Sequence, residues 1–315
     1  MPKPFVLAIV GPTASSKSEI AFEIARQVEG EIISCDSVQV YRGLDIGSAK
    51  PPQAWRSEIP HHCLDLYDPV VRVSAGLYKE VAESAIQDIW QRGKIPIVVG
   101  GTGLYFNAIF YGLFEAPPAN QEKRLFYQSL SLEELLKKVK DIDPEWFSQN
   151  QTKDQRRLIR VLEVFDITGE KLSSLQKRNK RLDVNWHILA PNWPREALYN
   201  RINERVLHMI KMGLIDETIH LRYQWGKDAY GLQSLGYKQV GEYLDGYYDK
   251  ETMIAIIQQE TRRYAKRQLT WFRKNRAIHW FAPETFSSLL RETISWIENQ
   301  PREGTITYTR GPFWP

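Results

Sequence analysis

The chain has 315 residues, 43% of them hydrophobic and 25% charged, and 42 Lys and Arg against 38 Asp and Glu leave a formal net charge of +4. Those proportions exclude disorder and collagen-like repeats and allow one large core or two unequal domains. No apolar run approaches the ~18 to 20 residues of a membrane span, Gly11 breaks the first apolar stretch too early for a signal peptide, and Cys35 and Cys63 fit neither a disulfide framework nor a metal spacing. A soluble, cytoplasmic protein with no membrane partner is expected.

The opening predicts strand, loop and helix. Pro4 to Val10 is continuously apolar, Gly11 to Ser16 is turn-like, and Ile20, Ala21, Ile24, Ala25 and Val28 recur at helical spacing. A second strand is predicted over Glu31 to Cys35, followed by a polar loop from Asp36 to Pro52. Helical periodicity over Tyr78 to Gln91 ends at Gly93, and Ile95 to Val99 reads as a buried strand running into Gly100, Gly101 and Gly103. Strand, helix and glycine turn thus recur in the order of a parallel sheet.

After Pro117 and Pro118 the pattern becomes helical and rich in Lys and Arg. Ser131 with Glu134 forms a capping-box signature, and Asp154 to Thr168 is an amphipathic helix stopped at Gly169. Val184 to Ala190 reads as a strand returning to the sheet, with a helix from Arg195 to Met212 closed by Gly213. The fold expected is α/β, a parallel-sheet core flanked by helices (1–124 and 186–315) with a smaller all-helical insertion at 125–185.

Gly11-Pro12-Thr13-Ala14-Ser15-Ser16-Lys17-Ser18 stands between a predicted strand and helix. There, backbone N–H groups and a helix N-terminus cradle a diphosphate, Lys17 neutralises its charge, and the Ser18 hydroxyl is placed for Mg²⁺. The usual pattern has glycine at Ser16, where a Cβ is disfavoured if φ is positive. The loop names no reaction, since kinases, ATPases and GTPases share it, and no apolar strand ends in the acidic pair that hydrolysis would use.

Charge is unevenly distributed. Residues up to Arg124 are slightly acidic on balance and the rest are basic; Thr261 to Trp280 carries Arg262, Arg263, Lys266, Arg267, Arg273, Lys274 and Arg276 with no acidic residue, interleaved with Tyr264, Trp271, Phe272 and Trp280. Alone, that segment reads equally as a polyanion-binding face or as a solvated amphipathic helix. His61 and His62 lack a third ligand at a sensible spacing and read as structural. Cys35, with no histidine nearby in sequence, reads as strand packing.

Four ordered blocks carry a resemblance. They are Gly11 to Ser18; Asp36-Ser37-Val38-Gln39-Val40-Tyr41-Arg42-Gly43-Leu44-Asp45-Ile46-Gly47-Ser48-Ala49-Lys50-Pro51; Pro60-His61-His62 with Gly100-Gly101-Thr102-Gly103-Leu104-Tyr105; and Leu235-Gly236-Tyr237-Lys238-Gln239 with Ala265-Lys266-Arg267-Gln268-Leu269-Thr270-Trp271. Together they resemble bacterial tRNA dimethylallyltransferases, also called tRNA isopentenyltransferases, over residues 11 to about 280. The chain departs from the family pattern at Ser16 (commonly Gly), Ser18 (Thr) and Ser48 (Thr).

The resemblance implies a P-loop NTPase-like core and transfer of a dimethylallyl group from its diphosphate to the exocyclic N6 amine of the adenosine 3′ of a tRNA anticodon. By this match Asp36 is the base, Thr102 a hydrogen-bonding partner of the amine, and Lys17 with Mg²⁺ on Ser18 the electrophilic clamp on the leaving diphosphate. Arg205 is a further diphosphate ligand. Asp36, Ser37, Val38, Gln39 and Thr102 meet the extracted base, while Arg124, Arg156, Arg157, Leu158, Ile159 and Arg160 meet RNA at the anticodon stem-loop. One RNA per chain needs no second copy, so a monomer is expected. Without the resemblance, Asp36 reads as a turn carboxylate, Arg205 as a solvated helix arginine, and the 156–160 run as a charged face. Three rivals remain open on sequence: a P-loop kinase of a small nucleotide, a transferase prenylating free AMP, and a non-catalytic RNA-binding protein.

Overall fold

A computed structural model describes residues 3–114, 117–300 and 302–310. Among these the strands are β1 (Phe5–Val10), β2 (Gly30–Ser34), β3 (His61–His62), β4 (Ile95–Gly100), β5 (Lys180–Leu182), β6 (Asn185–Pro191), β7 (Ile278–Phe281) and β8 (Tyr308–Arg310). Six of them make one sheet in the order β3-β2-β4-β1-β6-β7, every neighbouring pair parallel. β1, β2 and β4 are buried throughout, as strands covered on both faces must be.

The chain divides into two compact units, one holding residues up to Ala108 together with Asp183–Thr307, the other running from Ile109 to Leu182 and taking up the chain again at Tyr308. In the first, Ile20, Ile24, Ala25 and Val28 of the helix Lys17–Val28 pack on Leu7, Ile9, Ile32 and Ile97 of the sheet, with Leu289 and Ile297 of the helix Phe286–Glu298 in the same cluster. The predicted strands over 4–10, 31–35, 95–99 and 184–190 all form, each within a residue or two. β3 and β7 carry no such signal in the sequence. β3 is a two-residue edge strand, and β7 follows the long helix Lys250–Phe272 inside the basic segment, too short for an alternation to show.

The second unit is wider than the 125–185 insertion expected and is not wholly helical, because β5 pairs antiparallel with β8. Its core gathers Leu135, Val139, Trp146, Leu158, Ile159, Val161, Leu162, Val164, Leu172 and Leu175 from four helices. The capping box forms as read: Ser131 Oγ accepts from the Glu134 N–H, and the Glu134 carboxylate accepts from the Ser131 N–H. No helix among the described residues is long and apolar enough to cross a membrane.

Candidate active site

Parallel sheets bind ligands beyond the carboxyl ends of their strands, and four adjacent strands of the first unit end there together. β1 runs into the phosphate loop, β2 into Asp36, β4 into Gly101 and Thr102, and β6 toward Trp193. The order β2-β4-β1-β6 therefore sets the expected base, its hydroxyl partner and the phosphate loop side by side.

The loop takes its shape from two left-handed residues, Ala14 (φ +60°) and Ser16 (φ +64°), the second capping the helix Lys17–Val28. Ser15 Oγ donates to the Pro12 carbonyl at 2.8 Å, as does Lys17 Nζ at 2.5 Å. Three side chains distant in sequence hold the outside. Trp193 Nε1 donates to the Ser15 carbonyl (3.2 Å); Arg201 Nε donates to the Ala14 carbonyl (2.8 Å) and its Nη2 to Ser16 Oγ (2.7 Å); the Thr13 N–H donates to Gln268 Oε1 (2.8 Å). The Arg201 guanidinium lies 4.3 Å from the Trp193 ring centroid. The left-handed backbone anticipated at residue 16 is thus real, and the serine hydroxyl that replaces glycine there is captured by Arg201.

Lys17 and Arg205 are close enough for the charge of one to act on the other. Burial first, and then the charge of Arg205, lowers the Lys17 ammonium from 10.5 to about 8, while burial and the neighbouring Arg201 lower Arg205. Arg205 makes no hydrogen bond or ion pair among the described residues, and the Ser18 hydroxyl likewise engages no protein partner. Glu19 and Asp36 are near enough for their charges to oppose these shifts, yet neither closes an ion pair with Lys17 or Arg205. Two cations held together and unneutralised form a cradle for an anion of more than one charge.

Asp36 Oδ1 accepts from the N–H groups of Val38 (2.8 Å) and Gln39 (3.2 Å), which is the turn its spacing alone suggested; Oδ2 takes no part in that turn. The Thr102 hydroxyl oxygen accepts from the Ser37 N–H (3.0 Å) and lies 3.3 Å from Ser37 Oγ, and the Thr102 N–H donates to the Cys35 carbonyl (3.2 Å). Tyr264 lies near Thr102, and burial pushes its hydroxyl up beyond the ordinary range. Gln39 is spent internally: Oε1 accepts from Ser34 Oγ (2.8 Å) and Nε2 donates to the carbonyls of Ser48 and Ala49. Val38 is half-buried.

Cys35 is fully buried, and burial pushes its thiol well up, consistent with packing. His62 Nε2 lies 2.8 Å from Glu31 Oε2 and His61 Nδ1 lies 2.7 Å from the Ile59 carbonyl; no cluster of three or more His, Cys, Asp or Glu among the described residues is arranged to hold a metal by itself.

In the second unit, the residues expected on RNA separate into three kinds. Arg156 and Arg157 are exposed at the start of the helix Gln155–Thr168, their N–H groups capped by Asp154. Leu158 and Ile159 are core residues, so the helix interior explains them and their side chains offer no contact surface. Arg124 and Arg160 both bind Glu163, whose side chain is fully buried: Arg124 Nε and Nη2 at 2.8 and 3.0 Å, Arg160 Nη1 at 2.5 Å, with Arg160 Nη2 also on the Pro117 carbonyl at 2.9 Å. Arg160, four residues after Arg156, is thus tied to Glu163 and the Pro117 carbonyl while Arg156 is exposed.

The IPP transferase family model matches residues 39–275 and the isopentenyl transferase model residues 4–59. This chain belongs to the IPP transferase family. Among its relatives, the tRNA dimethylallyltransferase 1 of Citrifermentans bemidjiense is 40% identical over 296 residues, covering 93% of this chain and 97% of that protein. The tRNA dimethylallyltransferase of Thermotoga neapolitana is 40% identical over 298 residues, covering 91% and 97%. Of solved structures, the tRNA isopentenylpyrophosphate transferase of Bacillus halodurans aligns at a TM-score of 0.70 with 34% identity, covering 94% of this chain and 97% of that one. A eukaryotic dimethylallyltransferase captured acting on tRNA aligns at 0.82 with 26% identity, covering 95% and 80%. The core of this IPP transferase is accordingly the P-loop NTPase-like sheet expected.

Trp193, Arg201, Tyr264 and the role of Gln268 are not visible in the sequence alone. Gln268 stands in one of the four blocks, but nothing in a linear pattern says that a helix residue such as Arg201 or Gln268 will close on a loop 185 or 255 positions away.

Proposed function

We propose that this IPP transferase moves a dimethylallyl group from dimethylallyl diphosphate to the exocyclic N6 amine of the adenosine immediately 3′ of a tRNA anticodon, yielding N6-isopentenyladenosine and diphosphate. The observation that carries the proposal is the Lys17–Arg205 pair, closed by no ion pair, at strand ends adjacent to those that carry Asp36 and Thr102. A diphosphate leaving group gathers negative charge as its carbon–oxygen bond breaks, and donors fixed in place before the reaction stabilise that charge without reorganising. The phosphate loop, Lys17 and Arg205 meet it on one side of the reacting carbon. On the other, the amine nitrogen forms the new carbon–nitrogen bond and its proton passes to Asp36, whose Oδ2 stands outside the turn that fixes Oδ1. Thr102, oriented by the Ser37 N–H, supplies the hydroxyl that positions the amine.

Mg²⁺ fits as a companion of the diphosphate. Ser18 offers a single unengaged hydroxyl and no protein cage is present among the described residues, which suits an ion that keeps several waters and binds largely through phosphate oxygens. Bound there on Ser18, it would add positive charge to the leaving group.

The acceptor base has to leave its stack to reach Asp36. Exposed cations suited to RNA phosphates are Arg156 and Arg157 in the second unit and, separately, Lys266 and Arg267 on the helix Lys250–Phe272 of the first. The test is incubation with labelled dimethylallyl diphosphate, Mg²⁺ and unmodified tRNA, with AMP and ATP offered in separate reactions. Label is expected in tRNA; label in AMP and none in tRNA would overturn the proposal.

A further inference from the structure

We infer that Gln268 is a positioning residue that locks the loop holding the diphosphate to the loop holding the acceptor amine, and so fixes the distance across which the prenyl group is transferred. Its side chain is almost fully buried, at 5% exposure, and spans both loops: Oε1 accepts the Thr13 N–H at 2.8 Å, and Nε2 donates to the Gly101 carbonyl, also at 2.8 Å. Thr13 belongs to the phosphate loop, and Gly101 directly precedes Thr102. A primary amide carries a donor and an acceptor about 2 Å apart with no net charge. Glutamate has no donor for the Gly101 carbonyl, and lysine has no acceptor for the Thr13 N–H.

The acceptor loop is shaped to receive this contact. A Cβ added to Gly101 would stand 2.2 Å from Gln268 Nε2, and one added to Gly103 would stand 2.3 Å from the Trp271 ring, three residues along the same helix. Gly100 is similarly closed, with the Cys35 carbonyl 2.0 Å from such a Cβ, so the turn is also pressed onto the chain entering Asp36. Tyr264, one helical turn before Gln268, lies near Thr102. The glycines at 101 and 103 thus exist to let one helix face clasp the turn that carries Thr102, and Gln268 extends the clasp to the phosphate loop. Thr13 donates its N–H to Gln268, so the phosphate grip rests on the remaining loop amides, Lys17 and Arg205.

The inference rests on the transfer reaction proposed above, and the experiment separates the two. Gln268→Met keeps the length and removes both hydrogen bonds; Gly101→Ala leaves Gln268 in place and drives the amide off. Each is expected to lower kcat for tRNA prenylation roughly 100-fold, the scale of an ångström-sized misplacement of reactants, with KM for dimethylallyl diphosphate and for tRNA each within about threefold of the parent. The Gly101→Ala/Gln268→Ala double variant, in which the clash with the Gln268 amide is gone and only the Gly11 carbonyl at 3.1 Å crowds the new Cβ, is expected to be no slower than Gly101→Ala alone. Hydrogen exchange gives a readout independent of turnover: in Gln268→Met, segments 11–18 and 100–105 should lose protection together while the sheet keeps its own. An unchanged kcat, additive losses in the double variant, loss of activity only in proportion to unfolded protein, or loosening of one segment without the other would each overturn the inference. Absence of transfer by the unaltered chain would instead overturn the proposed function, leaving the exchange result to decide the coupling.

Discussion

Ser16 sets two opposing effects against each other within one residue. Its φ of +64° holds a Cβ in the left-handed region, which disfavours an L residue by about 1–2 kcal/mol. Ser16→Gly removes that strain but returns roughly 0.5–1 kcal/mol of chain entropy to the unfolded state, so the relief nets about 1 kcal/mol or less. Against it stands the 2.7 Å hydrogen bond from Arg201 to Ser16 Oγ, and a bond from a charged donor contributes about 1.5–3 kcal/mol. The hydrogen bond is the larger effect. Ser16→Gly is therefore expected to destabilise the first unit by about 1 kcal/mol, and Ser16→Ala, which keeps the strain and loses the bond, by about 2 kcal/mol. For a unit of this size each kcal/mol is worth roughly 2–4 °C of melting temperature. Urea and thermal unfolding followed by tryptophan fluorescence measure both variants. On an Arg201→Ala background only the strain remains, and Ser16→Gly should become stabilising. A Ser16→Gly protein more stable than the parent with Arg201 intact would refute the reasoning.

Two further predictions concern the RNA face and acid stability. Arg156→Ala with Arg157→Ala should weaken tRNA binding and flatten the slope of log affinity against log salt by about 0.7 to 0.9 for each phosphate that is no longer neutralised; an unchanged slope in filter binding would assign the pair to a solvated face. Glu31 accepts from both Nη atoms of Arg92 and lies 2.8 Å from His62 Nε2, and the Arg92 hydrogen bonds above all lower its carboxyl from 4.5 to about 2. A carboxylate with a lowered folded-state value contributes stability that is present above its ordinary range and lost as pH falls toward the folded value. Glu31→Gln should thus cost on the order of 2 kcal/mol at neutral pH, allowing for screening of the half-exposed Arg92, and the gap should close between pH 4.5 and about 2. Urea midpoints that keep a constant difference over that range would contradict it.

The sequence made legible those parts of the molecule that local pattern determines. β1, β2, β4 and β6 are short buried runs between turn residues, and the phosphate loop has to lie between a strand and a helix. The sheet order then places Asp36 and Thr102 beside that loop. Partner choice is another matter. Arg124, Arg156 and Arg160 have the same chemistry on paper, yet Glu163, 39 and 3 residues from the two it binds, draws Arg124 and Arg160 inward and leaves Arg156 outside. Leu158 and Ile159 share a motif with those arginines but point into the core. At Ser16 the sequence shows the departure from glycine but not the partner of its hydroxyl, because Arg201 is 185 residues away. Burial and long-range pairing are properties of the folded chain, and residue type alone does not report them.

Asp36→Asn addresses the chemistry most directly, because an asparagine oxygen can still accept the Val38 and Gln39 N–H groups that fix the turn. Single-turnover transfer of labelled dimethylallyl groups to tRNA, measured alongside the affinities for dimethylallyl diphosphate and tRNA, is expected to show the rate falling by at least the ~100-fold that a positioned base supplies, with both affinities nearly unchanged. A variant that transfers at the parental rate would remove Asp36 from the role of base.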